Sequence, residues 1–231
     1  MLNRKNVLHG LSIGLALTVL NVPTLWQTSQ QPLAEDELDN LNVGAPSRRV
    51  GGGARGIAGV LPTLTALAPN YVGRTLQASP SLYWALSEVV DKPFKFTLVY
   101  SDPLKHGIEP VLETAIEKPI QGIQNLDLAK YHVELKPNVE YQWSLSITMD
   151  PKQGSQDVVA SGVVMRVTEN DLPKGVTVDK NNPSSYEEAK LFYDALQLLS
   201  EKIVENPNDK ALQQQRVALL DKVGLKEVVN Y

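Results

Sequence analysis

The chain contains no cysteine. That excludes disulfides, thiol nucleophiles, zinc–thiolate sites and cysteine-held iron–sulfur clusters, and it leaves core burial to hold the fold. Charge of one sign is lacking too: 22 Lys and Arg stand against 26 Asp and Glu, a net charge of -4 with the signs interspersed. No basic patch offers itself to phosphates, so nucleic acid is not an expected partner. Histidine occurs three times, and aromatic residues make up only 6% of the chain. A long hydrophobic run is also missing. The longest stretch, Val7 to Leu20, is interrupted by His9, Gly10, Ser12, Gly14 and Thr18, and it falls short of the ~20 apolar residues that cross a bilayer.

What that stretch does carry is Arg4 and Lys5 in front and Asn21 and Pro23 behind. A basic n-region followed by a short apolar h-region is the pattern of an export signal. Residues 1–26 are therefore expected to be a signal peptide or signal-anchor, and the rest of the protein to reside beyond a membrane, in the periplasm or cell envelope or outside the cell. From 27 to 69 the composition turns to Gln, Pro, Gly, Ser and acidic residues, which predicts a tether without a core of its own. Its Arg48-Arg49-Val50-Gly51-Gly52-Gly53-Ala54-Arg55-Gly56 run lacks the following helix that a phosphate-cradling loop needs. The acidic cluster Glu35, Asp36, Glu37, Asp39 has no calcium-loop spacing.

Over 70–170 the apolar period is two. Strands are predicted at Leu82–Leu86, Phe94–Tyr100, Val111–Ile116, Ile123–Leu128, Val139–Met149 and Val158–Val167, bounded by Pro, Gly, Asn or Asp. In the longest, Val139, Tyr141, Trp143, Leu145, Ile147 and Met149 share one face and polar residues share the other. Short strands without intervening helices predict an antiparallel sandwich. The segment Leu135-Lys136-Pro137-Asn138-Val139-Glu140-Tyr141 resembles a tyrosine corner, with Leu135 plugging the core end, Pro137 fixing the turn and Tyr141 returning its hydroxyl to the backbone. The expected fold is mainly β with an α tail: an immunoglobulin-like or fibronectin-type antiparallel Greek-key β-sandwich followed by a C-terminal two-helix hairpin.

After a linker at 171–184 the period becomes helical. Ser185 and Glu188 have capping-box spacing, and Ala189, Phe192, Leu196, Leu199 and Ile203 form one apolar stripe. Asn206-Pro207-Asn208 stops that helix; a second carries Leu212, Leu219, Leu220 and Val223 and closes at Gly224, with Leu225 set against Leu220. The hairpin 185–231 is expected to pack on the sandwich or on a partner. Neither helix has the basic polar face of a lipid-lying helix.

No catalytic set stands out. Ser101, Asp102 and His106 lie within one turn-rich segment, where Ser-Asp-Pro and His-Gly are ordinary turn chemistry. His132 and Glu134 would share one face of a strand and supply at most two metal ligands, fewer than the three or four that sites use. Tyr83 and Tyr131 are the best outward aromatics and the candidates for stacking on a sugar ring. No metal and no cofactor is expected.

The Gly51–Gly56 run, Ser79-Pro80-Ser81-Leu82-Tyr83-Trp84, Phe94-Lys95-Phe96-Thr97-Leu98, the segment from Leu135 to Trp143, Tyr193-Asp194-Ala195-Leu196 and Asn206-Pro207-Asn208-Asp209 together resemble the cyanobacterial exported family catalogued as domain of unknown function 928. The resemblance runs from about Arg48 to the C-terminus. It implies a host group and a compartment, and no activity. The leading expectation is a non-catalytic protein-interaction module of the cell envelope whose partner is another envelope protein, with a carbohydrate- or surface-binding domain as the alternative and a hydrolase behind both.

Overall fold

The computed structural model describes residues 49–51, 62–152, 154 and 157–230. The expected leader at 1–26 and the tether segments 27–48 and 52–61, with most of the arginine–glycine run, lie outside the described residues. In chain order the strands are β1 (Val50–Gly51), β2 (Leu64–Ala66), β3 (Gly73–Thr75), β4 (Ser81–Leu86), β5 (Phe94–Tyr100), β6 (Leu112–Ala115), β7 (Gly122–Asp127), β8 (Glu140–Ile147) and β9 (Val158–Arg166). The helices are α1 (Pro103–His106, a single turn), α2 (Pro183–Glu188), α3 (Phe192–Glu205) and α4 (Lys210–Lys222).

The strands form two open sheets, one in the order β1-β2-β4-β7 and the other in the order β3-β9-β8-β5-β6. Alternation explains β8: Tyr141, Trp143, Leu145 and Ile147 are buried while the residues between them are half-exposed or exposed. These side chains meet those of the other sheet in one core, where Trp84 sits edge-on to Phe94 at 6.1 Å and Trp143 stacks with Phe96 at 6.3 Å. Glycine permits a close approach here. A Cβ on Gly162 of β9 would stand 2.5 Å from the Cβ of Ala68 and 2.9 Å from Trp143 Nε1.

Three features differ from the sequence expectation. The tether ends earlier than 69: Leu64, Thr65, Ala66, Leu67 and Ala68 are all buried, and β2 pairs antiparallel with β4. A composition rule averaged over a long window hid this short strand, which is buried on both faces and so shows no alternation. The chain then changes sheets, and β3 pairs parallel with β9, so the second sheet is mixed rather than antiparallel. Finally, helical and strand residues are about equal in number, so the helices form a layer of the fold rather than a tail. Every residue of β4 is buried because one face packs on the core and the other lies under the helices.

The helical region itself contains a break. Lys190 adopts a φ of 60°, which ends α2 and starts α3 in a new direction, so the single helix expected from Ser185 onward is two. The N-cap of α2 is Asn182, whose side chain accepts from the Ser184 N–H, with Pro183 in the first turn. Ser185 and Glu188 are therefore not a capping box. Ser185 instead accepts from the Asp179 N–H at 3.0 Å, and its Oγ lies 2.9 Å and 2.8 Å from the carbonyls of Asp179 and Asn182. At the other end, Gly224 takes a φ of 73°, its N–H donates to Asp221 O, and the Leu225 N–H donates to Leu220 O, the two bonds of a Schellman motif.

Long-range hydrogen bonds join the helices to the sheets. Trp143 Nε1–H donates to the Tyr193 hydroxyl at 3.0 Å, and that hydroxyl donates to Val163 O at 2.9 Å, all within the core. Arg49, just before β1, donates to the Val223 carbonyl at the end of α4 and to Ala68 O. It places a cation at a helix C-terminus.

Candidate functional site

Residues 172–182 carry no helix or strand, yet they are tied down at both ends. At the start, Thr168 and Asp171 bond reciprocally, with the Thr168 N–H 2.8 Å from Asp171 Oδ2. At the finish stands the Ser185 network. Between them Gly175, at a φ of 80°, reverses the chain, and Leu172, Val176 and Val178 pack against a second small apolar cluster of Val167, Ala189 and Leu191. The segment covers a cavity of about 780 Å³ lined by Leu76, Gln77, Glu169, Asn170, Leu172, Val176, Thr177, Val178, Lys180, Tyr186 and Asp194. That volume is within the range of small-molecule sites, ~300–1,000 Å³.

Asp194 is the chemical centre of this cavity. It lies in the first turn of α3 and is only 3% exposed. The Leu76 N–H stands 3.1 Å and 3.3 Å from its two oxygens. Burial pushes its pKa up to about 6, with hydrogen bonding, the Leu76 N–H included, opposing the rise. Burial also raises that of the Tyr186 phenol, aided by the charges of Asp194, Asp179 and Glu201. A carboxylate and a neutral phenol in a half-apolar recess can bind and orient a ligand and hold a proton near neutral pH. Sequence reasoning missed Asp194; the signal was an acidic residue inside Leu191–Leu196, a run apolar at every other position and too continuous for a one-faced helix.

A second recess of about 410 Å³ runs between the free edges of the two sheets, β6 and β7, with Trp84, Thr114, Ile116, Leu126, Lys130 and Tyr131 among its walls. The register decides what these edges offer. Ile116 N–H bonds Phe94 O, so Leu112 and Thr114 turn their backbone groups to β5, while Glu113 and Ala115 turn theirs outward. By the same alternation, from the Leu128 N–H to Pro80 O, Ile123 and Asn125 turn theirs outward on β7. The Trp84 indole N–H, buried at the wall of the recess, has no hydrogen-bond partner among the described residues.

The structure does not bring the residues singled out from sequence into one site. Tyr83 is not an outward aromatic: it is 6% exposed beneath the helices, near Ser81, Ser200, Glu201 and Arg216, and burial together with the Glu201 charge pushes its phenol up to about 12. Its face of β4 was expected to be solvent because the sequence does not show that helices cover it. Tyr131 is exposed, as expected of an outward aromatic, in a 3-10 turn (Leu128–Tyr131) beside the edge recess. His132 closes that turn at a φ of 56°, and Glu134 follows in irregular backbone, so the pair is not on a strand face. Asp102 caps α1 by accepting from the Lys105 N–H at 3.1 Å, and His106 stacks on Tyr100 at 4.8 Å. The Tyr141 hydroxyl accepts from the Lys136 N–H at 3.0 Å, and Leu135 is buried at the end of the core, where its N–H donates to Ala78 O. Pro137 bridges to Arg166. Among the described residues no group of three or more His, Asp or Glu could hold a metal ion, and no helix is long and apolar enough to cross a membrane.

Two open sheets, a helical cover and a carboxylate-bearing cavity define a mixed β and α domain with one recess at its sheet edges and another beneath its covering loop. Residues 50–231, from β1 to the C-terminus, match the family described as Domain of Unknown Function (DUF928), and the chain belongs to that family. Among curated proteins, none matches the chain.

Proposed function

We propose that this protein is an exported module of the cell envelope that binds another protein non-covalently, by accepting an extended segment of its partner on the β6 edge. The observation that carries the reading is the outward backbone of Glu113 and Ala115 beside an orphan Trp84 N–H. An unpaired sheet edge is a template for a further strand, whose main chain supplies donors and acceptors in register. Export rests on the basic, apolar pattern of 1–26. A cyanobacterial host rests on the motif resemblance.

The connectivity supports an immunoglobulin-like Greek key within this domain. An initial strand on one sheet, a switch to a parallel partnership with the last strand of the other, and a tyrosine hydroxyl returning to the backbone five residues upstream are features of that architecture. Sandwiches of this kind often recognise proteins, although the fold alone does not assign the role.

Ala115→Pro is the test, because it removes one outward N–H and leaves the bonds to β5 in place. A cross-linked pull-down of the tagged protein from its native host is expected to recover an envelope protein, and Ala115→Pro to lower that recovery at least tenfold while melting within a few degrees of the unaltered protein. Equal recovery by both, or no partner at all, refutes the reading.

A further inference from the structure

The cavity beneath residues 172–182 lies apart from the β6 edge and calls for an occupant of its own. Asp194 is a buried carboxylate on which burial acts most strongly; the Leu76 N–H donates to it, and no cation is among the principal groups that act on it. A buried charge without a counter-charge is costly, and burial in low dielectric lets its field reach into the neighbouring space. Acidic groups outnumber basic ones around the cavity. Glu169 lines it with Asp194, Asp179 and Glu201 act on Tyr186 from outside, and Lys180 is the one basic side chain among the described lining residues. Tyr186 supplies an aromatic ring beside this negative field, and Leu76, Leu172, Val176 and Val178 supply an apolar wall.

We infer that this cavity is a binding site for a small organic cation, an amine carried on an apolar body, with Asp194 as counter-charge and Tyr186 as the aromatic surface. Each part of such a ligand has a matching wall. The ammonium gains from the carboxylate field and the ring face, and the apolar body replaces water against the valines and leucines. An anionic ligand would face two lining carboxylates, and a wholly apolar one would leave the charge of Asp194 uncompensated. The ordered irregular segment fits the role too, since a loop without secondary structure that is pinned at both ends is a frequent site of recognition.

The probes are 2-phenylethylamine and hexylamine, with 2-phenylethanol and hexanol as neutral counterparts, titrated to 10 mM against the 15N-labelled protein at pH 7.5. The expected result is saturable shifts of the Leu76, Val176 and Tyr186 amides with both amines, at least tenfold weaker binding of the alcohols, and loss of that preference in Asp194→Asn. Val176→Trp, which fills the cavity and leaves the carboxylate in place, is expected to weaken both amines at least tenfold, and it serves as the test should Asp194→Asn fail to fold. Alcohols binding as tightly as amines, or shifts that never saturate or fall outside the cavity, overturn the inference. Failure here leaves the strand-accepting edge untouched, because Ala115→Pro reads a different face.

Discussion

Tyr193→Phe tests how the helical layer is joined to the core. The substitution keeps the ring, which Gly73 accommodates by lacking a Cβ that would otherwise sit 2.4 Å from Tyr193 Cε2, and removes only the hydroxyl. Two groups lose their partner at once: Trp143 Nε1–H at 3.0 Å and Val163 O at 2.9 Å. Both are in fully or almost fully buried residues, where water does not substitute. An orphaned buried group costs about 1–3 kcal/mol, and the carbonyl, with two lone pairs, sits at the lower end. Allowing for the desolvation that the absent hydroxyl no longer suffers, the net loss is about 3 kcal/mol. With a urea m-value of about 2 kcal/mol/M, the midpoint falls by ~1.5 M; by heat the shift is ~6–12 °C for a domain of this size. Urea unfolding followed by tryptophan fluorescence reads it directly. A loss below about 1 kcal/mol would show that the buried triad contributes little beyond ring packing.

Two further outcomes follow from the geometry. Gly162→Ala places a methyl against Ala68 and the Trp143 indole at distances real contacts do not reach, and it is expected to cost about 1–3 kcal/mol in the same urea assay. For Asp194 the folded state holds its proton up to about pH 6, well above the ordinary aspartate value of 3.8. The folded state therefore binds more protons than the unfolded one between these values, and stability falls as pH rises through them, by ~3 kcal/mol in total. The difference in stability between the protein and Asp194→Asn, measured from pH 4 to 7.5, is expected to show that slope; a flat difference would mean the carboxylate is as well solvated when folded as when unfolded.

The strands most legible in sequence were those with one wet face. β5 and β8 alternate cleanly because polar residues record the solvent side, and Tyr141 advertises its corner through Leu135 and Pro137 upstream. Elements buried on both faces leave no such record. β2 reads as part of a tether, and Tyr83 reads as an outward residue on β4 because nothing local reports the helices that lie over it. The break at Lys190 was equally silent, since a positive φ at a lysine is imposed by the packing on either side rather than by the residue. The cavity depends on Leu76, Val176, Tyr186 and Asp194, which come from four separate parts of the chain, and no short motif contains them.

The bond from Arg49 to Val223 spans 174 residues, and the parallel pairing of β3 with β9 joins the front of the domain to its last strand. A chain built this way cannot complete its architecture while it is still being made. Until α3 emerges the outer face of β4 has no cover and the Trp143 N–H has no acceptor from Tyr193, and until α4 is complete Arg49 has no Val223 carbonyl to bond. Loop-closure entropy delays such distant contacts, so native structure forms late. A chain cut short before α3 is therefore left with the outer face of β4 bare and with Trp143 Nε1–H lacking the hydroxyl it bonds in the complete domain.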